Sequence, residues 1–475
     1  MPPTLALIVW LALLLALFYF DPAKESRTSP ALWIPVIWLF IIASRLPSQW
    51  LSGWSGGSVA QALEEGNPLD RTIFSILIVL SLAVLLSRSF KWSRFLSANL
   101  FLTIFVVYAL ASITWSDFPF IAFKRWFRDF GNYLVVLVAL SDTRPLEAVK
   151  TLLRRVSYLV IPLSIVLDRY FPGISRQFDS WTGMGMYVGA TTGKNLLGLV
   201  AMLSSLFFLW DTVARWPDRR RQRTKHVIYV NVAFLAMSVW LLNTANSATC
   251  RVCLAIGCIV VLAAHSRTLR RSPGALKLLA PSIFAAYLIV ALGFGLSGNL
   301  ATAVGKDPTL TDRTKIWAFV LGMHTNPIIG TGYESFWLGD RLQTVWRMAG
   351  LGGINEAHNG YLEVYLNLGW LGLLLILAVL ITSYRTICQR LRPFSSFASL
   401  SLAIWTIMLF YSVTEVGFRS GLMWLVFLLV GTTVPVHAES RLTSTTMERR
   451  NNPEKARSLP ARFPDMPGTP IPTHK

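Results

Sequence analysis

Charge is scarce in this chain, and negative charge scarcer still. Of 475 residues only 24 are acidic, against 44 Lys and Arg, and charged residues make up 14% of the whole. A soluble globular domain carries about 25%, so an ordinary soluble enzyme of several domains is excluded. Cysteine is also rare, with four residues, which excludes a disulfide framework. Cys250 and Cys253 form a C-x-x-C with Cys258 close by. A second ligand pair is missing, so these read as small buried hydrophobes rather than metal ligands. The run GATTGKN at 189–195 is one residue short of a phosphate loop and has Asn195 where Ser or Thr would hold magnesium. No fixed-period repeat and no pair of carboxylates at hydrolase spacing is visible.

Apolar residues are abundant: 53% of the chain, with a mean hydropathy of +0.51. They fall into long blocks near 4–20, 31–46, 72–87, 97–115, 121–140, 152–168, 187–210, 227–243, 250–265, 276–297, 360–382, 397–413 and 418–436. Most approach the ~20 residues that a bilayer helix needs, so the sequence predicts an all-α polytopic membrane protein with about twelve or thirteen transmembrane helices. Block 121–140 is the weakest, because Lys124, Arg125, Arg128 and Asp129 load its first half; that half is expected to lie along the interface. Block 4–20 lacks a basic start and a small-residue cleavage site, and is expected to be a retained helix.

The net charge of +20 does not point to nucleic acid, because it is distributed by loop. Arg88, Lys91 and Arg94 share one connection, and Arg144, Lys150, Arg154 and Arg155 another. Arg215 to Lys225, Arg267 to Lys277, and Arg385 to Arg392 complete the set. The connections between them are poorer in Lys and Arg. This alternation puts the basic loops in the cytoplasm and the long loop 298–359 outside, with anionic membrane lipids as natural contacts of the basic face. The polar, proline-containing tail 438–475 is expected to be a disordered cytoplasmic extension of a membrane domain over 1–437.

The long outer loop mixes tryptophans with Arg313, Lys315, Arg341, Arg347, His324, His358, Glu334, Glu356 and Glu363. Connections between helices are usually short, so its size suggests function. Residues 313–325 have helical periodicity, with Ile316, Trp317, Val320 and Leu321 on one face and a stop at Asn326-Pro327. In GTGYESFW, Gly330 and Gly332 permit a tight turn through φ > 0. An arginine fork matches a pair of phosphate oxygens, aromatic rings suit sugars or the membrane interface, and histidine can take a proton from a hydroxyl. Together they suit a lipid-linked, phosphorylated sugar.

The stretches DRTKIWAFVLGMHTNPIIGTGYESFW (312–337) and NEAHNGYLEVYLNLGWLG (355–372), supported by 31–45, 110–126, 191–198 and 245–254, carry a resemblance over most of the chain. It resembles the O-antigen ligase and O-antigen (Wzy-type) polymerase superfamily, particularly the exopolysaccharide-polymerase-like branch. The resemblance implies a metal-independent, inverting GT-C-type glycosyltransferase without cofactor, working at the periplasmic face of a bacterial inner membrane. Its donor would be a glycan on undecaprenyl pyrophosphate, and its acceptor another lipid-linked repeat or a lipid A–core sugar. His358 matches the family histidine held to activate the acceptor hydroxyl, and Arg313 the arginine held to bind pyrophosphate. Lys194, Asn195, Arg125, Arg128 and Glu334 are further candidate substrate contacts, with Asn359 and Tyr361 orienting the acceptor. Where relatives usually have histidine before the K-N pair, this chain has Gly193, and a second pyrophosphate arginine does not carry onto Arg251. The sequence leaves open whether chain-length regulators assist. A transporter or flippase is the alternative; it would call for two related halves, and none are visible.

Overall fold

The computed structural model describes residues 1–21, 28–51, 66–88, 90–178, 183, 185–293, 313–348, 353–391 and 395–433. The expected tail 438–475 and the first part of the outer loop lie outside them. Fifteen of the described helices carry the architecture: α1 Pro3–Tyr19, α2 Trp33–Ala43, α3 Pro68–Ser87, α4 Leu100–Ala111, α5 Pro119–Leu140, α6 Pro145–Tyr170, α7 Lys194–Arg215, α8 Gln222–Ala245, α9 Ala248–His265, α10 Pro273–Gly293, α11 Arg313–Leu321, α12 Gly339–Met348, α13 Gly360–Arg390, α14 Ser396–Thr414 and α15 Leu422–Gly431. The described strands are β1 Arg176–Phe178 and β2 Gly185–Tyr187, an antiparallel pair between α6 and α7. The all-α membrane architecture expected from the sequence is what the chain adopts.

Each of the apolar blocks contains a helix, yet their number does not equal the number of spans. Six described helices, α3, α7, α8, α9, α13 and α14, are long and apolar enough to cross a bilayer. A seventh span is possible if Trp92–Ala98 and Leu100–Trp115, bent by 96°, count as one. Among the described residues, then, six or seven helices meet that test, against the twelve or thirteen spans the sequence predicts. Helices α1, α2 and α15 are apolar but short, as is the apolar stretch Gly274–Tyr287 of α10. Helices α5 and α6 have 22 and 26 residues but carry the Arg, Lys, Asp and Glu noted above. The charged first half of α5 does not break from the second; it is one continuous helix whose inner face meets the outer loop.

Packing brings four helix ends together. Helix α7 packs along α8 and α9, α9 along α14, and α14 along α13. Helices α7, α9 and α13 each start at the end of the bundle opposite the Arg- and Lys-rich connections, and α14 finishes there. Gly198 lets α7 approach α9: a Cβ there would meet Ser247 Cβ at 2.8 Å.

The outer loop folds against a break in α13. Gly369 has φ 64°, which interrupts the helix, and the chain segment 327–332 fills the gap. The N–H groups of Trp370 and Leu371 donate to the carbonyls of Pro327 (2.9 Å) and Ile328 (3.1 Å). Those of Thr331 and Gly332 donate to Leu366 (3.1 Å) and Asn367 (2.9 Å). The hydrogen bonds that a break costs a helix are thus remade with the loop. Gly330 and Gly332 adopt φ 68° and 93°, as the sequence predicts. Above the break, Ile316, Val320, Phe336, Trp337, Leu342, Val345, Ala357 and Leu366 form a core of their own. Burying a large apolar side chain is worth roughly 1.5–3 kcal/mol, so this loop is a folded cap. Helix α11 stops at Leu321, earlier than Asn326-Pro327, because Gly322 follows and closes the last turn onto Ala318 and Phe319.

Candidate functional site

The site lies beneath this cap, where α7 and α13 begin and α14 finishes, with the first residue of the cap's own α11 turned towards it. Glu415, the residue after α14, is buried and joins three residues that are far apart in the chain. Arg313, first in α11, sets its Nη2 2.8 Å from Glu415 Oε1, and its Nη1 donates to the carbonyl of Thr414. Asn195, on the first turn of α7, donates its side-chain N–H to the same Oε1 at 3.2 Å. His358 places Nδ1 3.8 Å from Glu415 Oε2. A buried carboxylate requires such company, because an unpaired charge away from water is costly.

His358 also faces Glu356. Its Nδ1 is 2.9 Å from Glu356 Oε1, an ion-pair distance without the angle of a well-directed hydrogen bond. Burial works against the imidazolium, but the carboxylates of Glu356 and Glu415 outweigh it and push its pKa up to about 10. Glu356 in turn is held below the ordinary carboxylate range: desolvation opposes this, but His358, Arg419 and Arg313 prevail. The other oxygen of Glu356 is 3.7 Å from Arg419 Nη1, and Arg419 Nε is 2.8 Å from Glu334 Oε2. The result is a line of alternating charge: Arg313, Glu415, His358, Glu356, Arg419, Glu334.

The donor atoms of Glu356, His358 and Glu415 lie within 4.8 Å of one another, close enough to surround a cation. Arg313 and Arg419 already compensate these two carboxylates, so a cation entering here would meet two guanidinium groups. The arrangement is better suited to an anion that takes the guanidinium forks from their carboxylates.

Backbone and neighbours fix these groups. Glu334 and His358 have φ 52° and 47°, left-handed values that cost a non-glycine residue about 1–3 kcal/mol and tend to occur at functional sites. Trp317 donates its indole N–H to the carbonyl of Ala357 at 2.8 Å, and the Ala357 N–H donates to Glu363 Oε2 at 2.9 Å. Glu363 also accepts from the Trp337 indole at 2.8 Å. One turn on, Asn367 Oδ1 accepts from the N–H groups of Ser335 and Phe336. His358 is thus held from both sides before any substrate arrives.

The other candidates are spread around this line. Arg125 donates to the carbonyl of Glu334, while Arg128 pairs with buried Asp129 at 3.0 Å, which accepts from the Tyr333 hydroxyl at 2.9 Å. Lys194 begins α7, half-buried, with no ion pair among the described residues. Asn359 Oδ1 accepts from the N–H groups of Tyr361 and Leu362 and so caps α13. The Tyr361 hydroxyl donates to the carbonyl of Leu409 at 3.2 Å, so the structure does not bring it to His358. Arg251 donates to Asn246 Oδ1 at 2.6 Å. Glu415 and Arg419 flank an outward turn near the last helix, and on sequence alone could equally be site residues or a structural ion pair; the structure puts both in this line of charge. Their signal was a lone Glu and Arg in the otherwise apolar last segment, which is costly at membrane depth without a reason.

Comparison with known proteins agrees with the motif reading. Residues 232–377 match the family model described as O-antigen ligase. That stretch holds Arg313, Glu334, Glu356 and His358; Lys194, Asn195, Glu415 and Arg419 lie outside it. The chain is similar to the exopolysaccharide production protein ExoQ of Rhizobium meliloti (strain 1021), 26% identical over 309 residues, 62% of this chain and 66% of the relative. The match thus spans just under two thirds of the relative's own length. The likeness to O-antigen ligase and polymerase proteins rests on both findings.

Proposed function

We propose, for a chain of the O-antigen ligase and polymerase kind, that it is a membrane glycosyltransferase of the GT-C type acting on glycans carried by undecaprenyl pyrophosphate. The observation that carries this reading is the joining of Arg313, Asn195 and His358 on one buried carboxylate, Glu415. The donor diphosphate draws the guanidinium of Arg313, and that of Arg419, away from their carboxylates. An acceptor sugar hydroxyl approaches His358. Its oxygen bonds to the anomeric carbon from the face opposite the leaving group, the bond from that carbon to the diphosphate oxygen breaks, and the configuration inverts. The hydroxyl proton passes to the neutral form of His358, and the lipid diphosphate leaves with the bonding electrons. Because Glu356 and Glu415 favour the imidazolium, they stabilise the charge that develops as the proton moves. The guanidinium groups do the same for the leaving diphosphate, so neither a metal nor a strong acid is called for.

In the cell the site faces the periplasm from the inner membrane, the basic connections lie in the cytoplasm, and the undecaprenyl chain remains in the bilayer. The relative's role in exopolysaccharide production favours polymerisation over ligation. Purified protein in detergent, given undecaprenyl-pyrophosphate repeats with and without lipid A–core, tests this. A ladder from donor alone is expected. Product only with core would make the chain a ligase, and movement of donor across vesicles without product would make it a transporter.

A further inference from the structure

The two nitrogens of His358 are not equivalent. Nδ1 is covered and turned to Glu356 at 2.9 Å and to Glu415 at 3.8 Å. No described residue bonds Nε2, and the side chain is 28% exposed. The backbone on either side is fixed by Trp317, Glu363 and the Asn359 cap. Glu356 has a second tie, to Arg419 at 3.7 Å, so it touches both the proton site and a cation of the anion site.

We infer that Glu356 is a positioning residue, which holds the proton of His358 on Nδ1 and leaves Nε2 as the nitrogen that meets the acceptor hydroxyl. The inference rests on the reading of His358 as proton acceptor. In the step above, the hydroxyl proton goes to Nε2 while the Nδ1 proton stays between the ring and Glu356. Which nitrogen of a neutral imidazole is protonated follows from what each nitrogen faces, and here Nδ1 faces a carboxylate at ion-pair distance. A carboxylate beside Nδ1 selects the reactive tautomer and supports the cation that forms. The charged groups facing this ring are Glu356 from its own loop and Glu415 from the turn between α14 and α15, and these carboxylates are paired in turn with Arg419 of that turn and Arg313 of α11. Glu363, in α13, faces Ala357 N–H.

Glu356→Gln, Glu356→Asp and His358→Ala test this in purified full-length chain with undecaprenyl-pyrophosphate repeats, over a range of pH. Glu356→Gln is expected to lower kcat about 10²-fold or more, with KM for donor changed by less than about threefold. The rising limb of the pH profile should move down by about one pH unit or more, since a negative neighbour is lost. Glu356→Asp should recover most of kcat. An unchanged limb, or a loss confined to KM, overturns the assignment.

Spectra of ¹⁵N-histidine protein, with the His358 signal identified by its absence in His358→Ala, give an independent readout. Neutral His358 should carry its proton on Nδ1 in the wild type and as a mixture in Glu356→Gln. A wild-type mixture would overturn the inference even if Glu356→Gln folds too poorly to assay. Should the wild type make no product at all, the proposed transfer fails, while the tautomer measurement still decides the role of Glu356.

Discussion

In the proposed transfer, His358 has to be basic enough to take a sugar proton and yet be free of its own. Two carboxylates raise its pKa to about 10, above the ordinary 6.5, so activity should climb with pH towards that value. The same shift bears on stability. The folded chain holds this proton more tightly than the unfolded one, so the stabilisation is complete below pH 6.5 and is lost as pH rises through about 10. Thermal midpoints of wild type and His358→Ala in detergent should therefore converge across that window; parallel curves would contradict it. Arg313→Lys keeps the charge but loses the fork, and should raise KM for donor about tenfold or more, as initial rates would show. His358 and Arg313 were legible because each sits in a local motif. Glu415 and Arg419 were legible only as site residues or a structural ion pair, because their partners are distant in the chain, and only folding shows that one carboxylate serves Arg313, Asn195 and His358.

At the scale of elements, α13 is the piece on which the site is hung. Its break at Gly369 receives the loop, its cap residue Asn359 follows His358, and Glu363 and Asn367 hold the loop from its inner face. A Cβ on Gly369 would lie 2.3 Å from the Ile328 backbone, at φ 64°. Gly369→Ala should therefore destabilise the chain by more than about 1 kcal/mol and lower its thermal midpoint; an unchanged midpoint would refute the docking. Asn359→Ala removes a cap worth about 1 kcal/mol, and a smaller drop is expected in the same assay. The turn at Gly330 and Gly332 was readable from the sequence, since glycine so placed announces positive φ. The break was not, because Gly369 stands within the apolar stretch 368–381. The polar pair Glu363 and Asn367, one turn apart just before that stretch, was the available sign of an inner face with work to do.

Over the whole molecule, hydrophobicity located the helices well, though only six or seven of the described ones are long and apolar enough to cross a bilayer alone. Short helices such as α2 and α15, and charged ones such as α5 and α6, belong to the bundle without meeting the demands of a lone bilayer helix. Their burial depends on neighbours, which a sliding window does not see. Orientation is testable directly. A cysteine placed at Gln343, in α12, should react in intact cells with a thiol reagent that does not cross membranes, and one at Arg220 only after permeabilisation; the reverse would invert the proposed topology. The measurement that bears most directly on the central claim is sugar transfer by purified wild type and His358→Ala, both shown to be folded, from undecaprenyl-pyrophosphate repeats. The account predicts a product ladder from the wild type and none from the variant. Equal ladders from the two would contradict it.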